Sequence, residues 1–581
     1  MPKLRIALAQ TNPVVGDFAA NTAAALDAAQ RARDAGADLV ALGEMALSGY
    51  PIEDLATRPA FLAASHAHLL ELARRLEQAG CGDLPVVIGF PDGPFEPRPD
   101  DPSTSPRSIA QNCAAVLFGG GLLARQAKFH LPNYSVFDEY RNFIPGDELV
   151  VLRIEDPAGG DVDVALAVCE DIWRDGGPVS RVASADAGVL LVINASPYER
   201  DKDDVRLPLV TRRATETDAV VAYVNIVGGQ DDLVFDGDSV VVDRTGTVIA
   251  RAPQFREHLL VVDVDLDPVS EPSVVEGVQR FSVPKHRRER PPLQPDVAVP
   301  PDDLQQVWEA LGLGLADYVG KNGFRSVILG LSGGIDSSVI ASLAVDRLGP
   351  DRVYGVSMPS RYSSGHSRSD ADDLAERLGL HYRTEAIEDL VVPFESQLHL
   401  QGLAAENIQA RARALILMAL SNQEGHLVLT TGNKSELSVG YSTIYGDSVG
   451  GFAPLKDVPK MLVWELARWR NRAAESRGER APIPENSISK PPSAELRVDQ
   501  TDQETLPSYE DLDAILELYI TEQRSREQVL AAGYDEKVVD QVVELTDHAE
   551  WKRRQSAIGP KISHMAFGRD RRLPITYRPV D

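Results

Sequence analysis

Residues 326–344 read SVILGLSGGIDSSVIASLA, which is an apolar run, a glycine-rich turn and a second apolar run. The first run has the composition of a buried strand, and the second is typical of a helix. A tight turn between them aims backbone N–H groups and a helix N-terminus at an anion. The lysine of the G-x-x-x-x-G-K-[ST] loop is absent. The stretch therefore predicts a phosphate site of another kind, with a solvated turn as the alternative.

The chain beyond this loop continues the alternation of strand and helix. Residues 353–358, 381–387 and 426–430 are strand candidates. Such an alternation favours a parallel sheet that binds ligands at the carboxyl ends of its strands. Residues 478–510 are polar and rich in proline, and we expect a mobile loop at the active site.

The first half of the chain shows the same alternation and predicts a second α/β layered domain. Between the two halves, residues 267–302 carry repeated prolines and a basic run at 285–290, which indicates a linker. The predicted strands of the first half are residues 5–10, 84–89, 113–118, 164–168, 189–192 and 220–225, and the predicted helices are 21–35 and 59–78.

Length and composition bound the class of protein. A chain of 581 residues with 43% hydrophobic and 25% charged residues is an ordinary globular composition in two or more domains. Its net charge of −28 argues against a nucleic-acid partner. Three cysteines form no disulfide framework, and no apolar run is long enough for a membrane span or a signal peptide. We therefore expect a cytoplasmic protein with no membrane partner.

Three residues of the first half suggest nucleophilic chemistry. Cys169 ends the apolar run at 164–168, Glu44 follows the apolar run at 39–42, and Lys128 lies in AKFHLPNY at 127–134. Taken singly, the cysteine could be a small buried hydrophobe and the two charges could be surface residues. In this order and with these flanks they resemble the Glu-Lys-Cys triad of the nitrilase, or carbon–nitrogen hydrolase, superfamily.

That resemblance implies an α-β-β-α sandwich and a chemical role for each residue. The Cys169 thiolate would attack a side-chain amide, Glu44 would act as general base and then acid, and Lys128 would stabilise the oxyanion and lower the pKa of the thiol. In members that supply ammonia to a synthetase, the substrate is L-glutamine. The implied glutamine contacts are Tyr134, Phe137, Glu170, Ser196 and Lys202.

Three motifs of the second half, NIQARAR (407–413), LTTGNKSE (429–436) and GYSTIYGD (440–447), resemble NAD synthetases. Together with the first half, the resemblance covers nearly the whole chain and extends to the glutamine-dependent NAD⁺ synthetases. It implies that ATP adenylates deamido-NAD and that ammonia then displaces AMP. Two positions depart from the ammonia-dependent enzymes, which carry Lys where this chain has Ile444 and Asp where it has Gly451.

The same resemblance assigns site residues in the second half. Asp336 and Glu436 would bind Mg²⁺, although Asp336 could simply cap a helix and Glu436 could lie on the surface. Deamido-NAD would contact Arg411, Glu436 and Lys561. ATP would contact Ser332, Gly333, Gly334, Ile335, Asp336, Ser337, Ser338, Thr431, Lys460 and Ser493.

The sequence thus predicts a glutaminase domain at 1–266, a linker at 267–302 and a synthetase domain at 303–581. The expected fold class is α/β, with an α-β-β-α sandwich followed by a parallel-sheet domain of the adenine nucleotide α-hydrolase (Rossmann-like) type. The resemblance also implies internal transfer of ammonia and a homo-oligomer. The alternatives are another glutamine-fed ligase with this ATP loop, an amidase regulated by a nucleotide-binding domain, and a non-enzymatic nucleotide-binding protein.

Overall fold

The structure, a computed structural model, describes residues 3–96, 105, 107–157, 160–269, 274–286, 288, 290–291, 293–294, 296–497 and 500–578. The chain divides into two units. The first comprises Met1–Gln230 and Phe235–Pro301, and the second comprises Asp231–Val234 and Asp302–Asp581. Arg287 and Glu289 of the predicted basic run lie outside the described residues.

Strands dominate the chain up to residue 284. In order, the elements are β1 (Lys3–Gln10), α1 (Phe18–Asp34), β2 (Leu39–Leu42), α2 (Pro59–Gln78), β3 (Val86–Asp92), β4 (Gln111–Phe118), β5 (Gly121–Ala127), α3 (Glu139–Asn142), β6 (Leu149–Glu155), β7 (Val162–Val168), β8 (Val189–Asn194), α4 (Asp203–Thr217), β9 (Val220–Asn225), β10 (Val227–Gln230), β11 (Leu233–Asp236), β12 (Val240–Val242), β13 (Val248–Arg251), β14 (His258–Asp265) and β15 (Val278–Pro284).

Two sheets form the centre of the first unit. One has the strand order β14-β1-β2-β3-β4-β5, and the other has the order β13-β12-β9-β8-β7-β6-β15. Ile6 of the first sheet and Leu166 of the second belong to one buried cluster, so these two faces pack on each other. Ala7, next to Ile6, points the other way and packs with α1 and α2. Val210 of α4 packs on the outer face of the second sheet. The predicted α-β-β-α sandwich is confirmed.

The segment 267–302, predicted as a linker, contains strand β15. This strand pairs in parallel with β6 and forms an edge of the second sheet. The basic residues that follow pair with acids of the first unit: Arg288 with Asp83 at 2.8 Å and Arg290 with Asp38 at 2.5 Å. Proline and charge therefore concealed a strand with few apolar positions, of which Val283 is buried and Val278 and Phe281 are half-buried.

Helices dominate the second unit. In order, the elements are α5 (Asp303–Lys321), β16 (Val327–Gly330), α6 (Ile335–Leu348), β17 (Val353–Ser357), α7 (Gly365–Leu378), β18 (His381–Thr384), α8 (Glu388–Leu398), α9 (Leu403–Glu424), β19 (Leu427–Val428), α10 (Lys434–Val439), α11 (Lys460–Ser476), α12 (Glu485–Ser489), α13 (Tyr509–Leu516), α14 (Arg526–Ala531), α15 (Glu536–His548) and α16 (Glu550–Arg553).

A four-stranded sheet of order β18-β17-β16-β19 organises this unit, and each neighbouring pair is parallel. The strands are short, and helices make the crossovers that parallel strands require. Strand β16 and helix α6 enclose the glycine-rich loop, so the predicted strand–loop–helix and the parallel-sheet fold are confirmed. The segment 478–510 contains the short helix α12. Across the described ranges, no helix is both long and apolar enough to cross a membrane.

Candidate functional site

The first candidate site is a buried cluster of charges at the ends of strands β2 and β5. Glu44 follows β2 and Lys128 follows β5, and their side chains are at most 1% exposed. The Lys128 ammonium donates to Glu44 Oε1 at 2.8 Å and to Glu139 Oε1 at 3.0 Å. One buried lysine therefore joins two carboxylates.

Two neutral donors complete the surroundings of Glu44. Asn112 Nδ2 donates to Oε1 at 2.6 Å, and the backbone N–H of Ala195 donates to Oε2 at 2.9 Å. Both oxygens of Glu44 are thus held in place by groups from β4, from β5 and from the loop after β8. Such a fixed, buried carboxylate is suited to moving a proton over a short distance.

Cys169 begins the turn after β7 and is buried. Its backbone has a φ of 44°, which lies in the left-handed region that residues other than glycine rarely adopt. Burial raises the pKa of the thiol well above its ordinary value, and Glu44 raises it further, whereas Lys128 lowers it. The predicted effect of Lys128 on the thiol is present, but burial outweighs it. The resting thiol is therefore protonated, and its activation needs a base.

Glu139 is a member of this cluster that the sequence did not single out. It is buried in the short helix α3, and it accepts a hydrogen bond from Tyr50 Oη at 2.9 Å. Burial raises the pKa of Glu139 to about 7, Lys128 lowers it and Glu44 raises it. For Lys128, burial lowers the pKa, but Glu139 and Glu44 raise it well above its ordinary value. The two adjacent acids at 138 and 139 were the only signal in the sequence.

The residues that the resemblance implies as glutamine contacts lie around the turn that carries Cys169. Tyr134 Oη donates to Glu170 Oε2 at 3.0 Å, and the rings of Tyr134 and Phe137 lie 5.6 Å apart. Ser196 is buried and donates its backbone N–H to Asn225. Lys202 lies 5.4 Å from the ring centre of Trp173, whose backbone N–H donates to the Glu170 carbonyl. Polar and aromatic groups thus surround the cysteine, as a polar amide substrate would require.

The second candidate site is the glycine-rich loop between β16 and α6. Gly333 has a φ of 73°, and a Cβ at this position would lie 2.4 Å from the Ser367 carbonyl oxygen. Only glycine fits without movement of the backbone. The Ser332 hydroxyl accepts from the Gly334 N–H at 3.1 Å and lies 3.2 Å from that of Ser337. The loop is therefore pre-shaped at the start of a 14-residue helix, where an anion is favoured.

Asp336 and Glu436 share one lysine beside this loop. Lys460 Nζ lies 2.5 Å from Asp336 Oδ2 and 3.3 Å from Glu436 Oε1. Burial raises the pKa of Glu436 to about 8, Lys460 lowers it, and Asp336 and Asp502 raise it. Asp502 was not predicted; it accepts from Tyr509 Oη at 2.8 Å. Three carboxylates thus gather around a single lysine, which leaves an excess of negative charge.

The remaining predicted nucleotide contacts have other partners. Thr431 is half-buried in the loop before α10. Ser493 is exposed and accepts from the backbone N–H of Glu495 at 3.1 Å. Arg411 is exposed on α9 and donates to the Ile444 carbonyl at 3.3 Å. Lys561 is buried, with its ammonium 2.5 Å from the Ser563 carbonyl and 3.1 Å from Asp570. These four residues make no direct contact with the Asp336 group in the hydrogen bonds and ion pairs described.

Gly451 is one of the two positions at which this chain departs from the ammonia-dependent enzymes, and it has little room for a side chain. A Cβ there would lie 2.6 Å from Leu427 Cδ1. Its backbone N–H donates to the Val428 carbonyl at 2.9 Å, which continues the edge of the sheet. An aspartate at this position would require movement of Leu427.

No cluster of three or more His, Cys, Asp or Glu side chains suited to a metal is found within the described part of the chain. Two basic residues near the C-terminus make contacts within the fold. Lys552 donates to the Gly440 and Ser442 carbonyls, and Arg553 pairs with Glu550 at 3.0 Å.

Comparison with known proteins gives matches to both units and to the chain as a whole. The carbon-nitrogen hydrolase family model matches residues 5–271, and the NAD synthase family model matches residues 307–556. Glutamine-dependent NAD(+) synthetase of Thermotoga maritima is 43% identical over 604 residues, covering 100% of this chain and 99% of that protein. The protein of the same name from Rhodobacter capsulatus is 44% identical, with 99% of each covered.

A solved structure covers nearly the whole chain as well. The glutamine-dependent NAD⁺ synthetase of Acinetobacter baumannii, in complex with adenosine diphosphate, has a TM-score of 0.72 and 37% identity. It covers 99% of this chain and 98% of its own.

Proposed function

Since the chain belongs to the glutamine-dependent NAD(+) synthetase family, we propose that it forms the amide of NAD from glutamine at two separate sites. Glutamine is hydrolysed in the first unit. In the second unit, deamido-NAD is adenylated by ATP and then amidated. The observation that carries this proposal is the buried Glu44–Lys128–Glu139 cluster near Cys169, which is suited to opening an amide.

Glu44 starts the reaction at the first site. Because the Cys169 thiol is protonated at rest, Glu44 takes its proton as the sulfur attacks the side-chain amide carbon of glutamine. Lys128, which both carboxylates hold in its charged form, stabilises the oxyanion that develops. Glu44 then gives the proton to the departing ammonia. Water activated by Glu44 hydrolyses the thioester, which releases glutamate and restores the thiol.

The polar groups around the Cys169 turn are proposed to recognise glutamine as an amino acid. Glu170 is buried and accepts from Tyr134, so its carboxylate is placed to receive the α-ammonium group of the substrate. Lys202 supplies a positive charge for the α-carboxylate, and Ser196 and Phe137 line the side chain.

The glycine-rich loop of the second unit is proposed to bind the phosphates of ATP. The residues of 332–338 present N–H groups and the start of α6 to the pyrophosphate, and Thr431, Lys460 and Ser493 contact the nucleotide. The carboxylate of deamido-NAD, bound by Arg411, Glu436 and Lys561, attacks the α-phosphorus, and pyrophosphate leaves. Ammonia then attacks the adenylate, and AMP leaves. In support, the ADP-bound relative shares this fold.

Asp336 and Glu436 are proposed to hold Mg²⁺ together with the ATP phosphates. Mg²⁺ is commonly held by one or two carboxylates and by phosphate oxygens, and the excess negative charge around Lys460 fits a divalent cation. When bound, Mg²⁺ supplies positive charge that stabilises the pyrophosphate leaving group.

Ammonia is proposed to pass to the second site without release to solvent. Free ammonia would mostly be protonated at neutral pH and would no longer act as a nucleophile. Synthesis from labelled glutamine in excess unlabelled ammonium should therefore give labelled NAD. If the label in NAD is instead diluted in proportion to the unlabelled ammonium in solution, internal transfer is refuted.

We also propose that the protein is a homo-oligomer that buries an apolar surface formed by α8 and α9. Isolated exposed leucines are ordinary, but this many on two adjacent helices point to an interface. The exposed apolar side chains are Leu390, Val392, Phe394, Leu398, Leu403, Leu415 and Met418.

The proposal is tested by incubating the purified chain with deamido-NAD, ATP, Mg²⁺ and either glutamine or ammonium. NAD, AMP and pyrophosphate should form with both donors, and glutamate should form with glutamine. If glutamine is hydrolysed and no NAD forms from either donor, the chain is an amidase with a nucleotide-binding unit, and the synthetase proposal fails.

A further inference from the structure

Asp171 takes no part in the steps above, yet its carboxylate joins the two strand ends that carry Lys128 and Cys169. It lies in the turn after β7, and its side chain is fully buried. A buried carboxylate that pairs with no arginine or lysine side chain in the hydrogen bonds described calls for another physical reason to be there.

The partners of Asp171 are three backbone N–H groups. Oδ1 accepts from Phe129 at 3.0 Å and from His130 at 2.9 Å, which are the two residues after Lys128. Oδ2 accepts from Val168 at 3.1 Å, the residue before Cys169. Burial raises the pKa of Asp171 to about 6, while the N–H groups of His130 and Val168 lower it. At neutral pH the Asp171 carboxylate is therefore ionised, and both of its oxygens accept hydrogen bonds.

The backbone at Cys169 needs such support. Its φ of 44° costs free energy in a residue other than glycine, and it persists only where neighbouring contacts enforce it. The bond from Val168 N–H to Asp171 spans the left-handed residue and closes the turn. The bonds to Phe129 and His130 attach the same carboxylate to the chain that places Lys128.

We propose that Asp171 is a positioning residue for glutamine hydrolysis, which sets the place of the Cys169 sulfur relative to the Lys128 ammonium. This inference rests on the proposed roles of those two residues. Asp171 contacts neither of the proposed reacting groups directly, so it acts on the rate of the chemical step and not on the affinity for glutamine.

Replacement of Asp171 with asparagine keeps an acceptor on one side of the side chain and removes it from the other. An asparagine has one oxygen and one NH₂ group, so in either orientation the NH₂ group faces a backbone N–H donor. Either the Lys128 side or the Cys169 side must then move. Misplacement of reacting groups by about 1 Å can cost about 100-fold in rate.

The matched control is Asp163→Asn. Asp163 is also a fully buried aspartate in the same part of the unit, but it pairs with Arg153 at 2.8 Å on β6 and lies six residues before Cys169. Its replacement disturbs a buried ion pair and leaves the bonds of Asp171 intact. It therefore reports what loss of stability alone does to the reaction.

The experiment compares wild type, Asp171→Asn and Asp163→Asn in the full chain. It measures kcat and KM for glutamine hydrolysis, the rate of Cys169 alkylation by iodoacetamide, and NAD formation from ammonium. For Asp171→Asn we expect kcat to fall by about 10- to 100-fold, KM to stay within about twofold, and alkylation to slow. Ammonium-driven synthesis should be unchanged, and Asp163→Asn should keep the wild-type kcat.

A loss in KM alone, or an equal loss of kcat in Asp163→Asn, would overturn the proposal. If Asp171→Asn does not fold, Asp171→Ser, which leaves a small acceptor in the turn, replaces it. If ammonium-driven synthesis is also lost in Asp171→Ser, the carboxylate serves the fold and the proposal fails. Retention of glutamine hydrolysis in Cys169→Ala would instead refute the proposed nucleophile, which is a separate outcome.

Discussion

Replacement of Gly333 with alanine should disable the nucleotide loop of the second unit. The φ of this residue is 73°, and the new Cβ would lie 2.4 Å from the Ser367 carbonyl oxygen and 3.2 Å from Asp370 Cβ. The closest atom belongs to the backbone at the start of α7, so no side-chain rotation can relieve the contact. Either the loop or the helix must move.

The size of the effect follows from that distance. Ordinary van der Waals contact begins near 3.4 Å, so the loop is displaced by about 1 Å. A displacement of this size in a group that positions the reaction costs about 100-fold in rate, which is about 2.7 kcal/mol. The left-handed backbone adds roughly 1 kcal/mol or more of strain to the folded state.

The assay is kcat/KM for ATP in ammonium-driven NAD formation, with glutamine hydrolysis measured alongside. We expect Gly333→Ala to lower kcat/KM for ATP by about 100-fold and to leave glutamine hydrolysis unchanged. The matched control is Gly349→Ala at the other end of α6, where φ is 81° and no atom lies within 4 Å of a Cβ. It introduces backbone strain without a clash. A Gly333→Ala enzyme within threefold of wild type, or an equal loss in Gly349→Ala, would refute the reasoning.

Three further predictions concern the charge cluster and the apolar surface. Lys128→Met leaves the buried carboxylates of Glu44 and Glu139 without their cation, which should cost about 3–5 kcal/mol of stability; calorimetry that shows an unchanged Tm would contradict this. The pKa of Glu139 is about 7 in the folded chain, against an ordinary value of 4.5. The protonated carboxyl therefore contributes fully to the free energy of unfolding below about pH 4.5. This contribution, about 3 kcal/mol, is lost as the pH rises to about 7. Glu139→Gln should flatten this part of the pH profile of urea unfolding, and an unchanged slope would count against the shifted pKa. Phe394→Glu should shift the protein to smaller species in sedimentation velocity, and an unaltered distribution would exclude α8 from the interface.

Local patterns in the sequence were enough for the architecture. Apolar runs separated by turn residues predicted most of the strands, and the strand–loop–helix at 326–344 predicted the parallel-sheet unit. Strands β5, β6 and β10–β15 were missed. Strands β5 and β15 lie at sheet edges and carry charged and polar residues at partly buried or exposed positions, whereas β6 contains a buried apolar run, LVVL, that the sequence alone could have indicated.

The residues that complete each site could not be predicted in the same way. No sequence motif distinguishes Asn112 or Asp171, and the only local signal for Glu139 is the acid that precedes it. Their importance comes from contacts made only when strands pair, as when Asn112 of β4 reaches Glu44 from 68 positions away. Likewise, whether the pKa of Cys169 is raised or lowered depends on how deeply the folded chain buries the thiol.

The most direct test of the two-site account is NAD formation with glutamine or ammonium as nitrogen donor, in Cys169→Ala and in Asp336→Asn. The account predicts that Cys169→Ala loses only the glutamine-driven reaction. It predicts that Asp336→Asn loses synthesis from both donors and still hydrolyses glutamine. If Cys169→Ala makes NAD from glutamine at the wild-type rate, or loses the ammonium-driven reaction as well, the assignment of the two chemistries to two sites is contradicted.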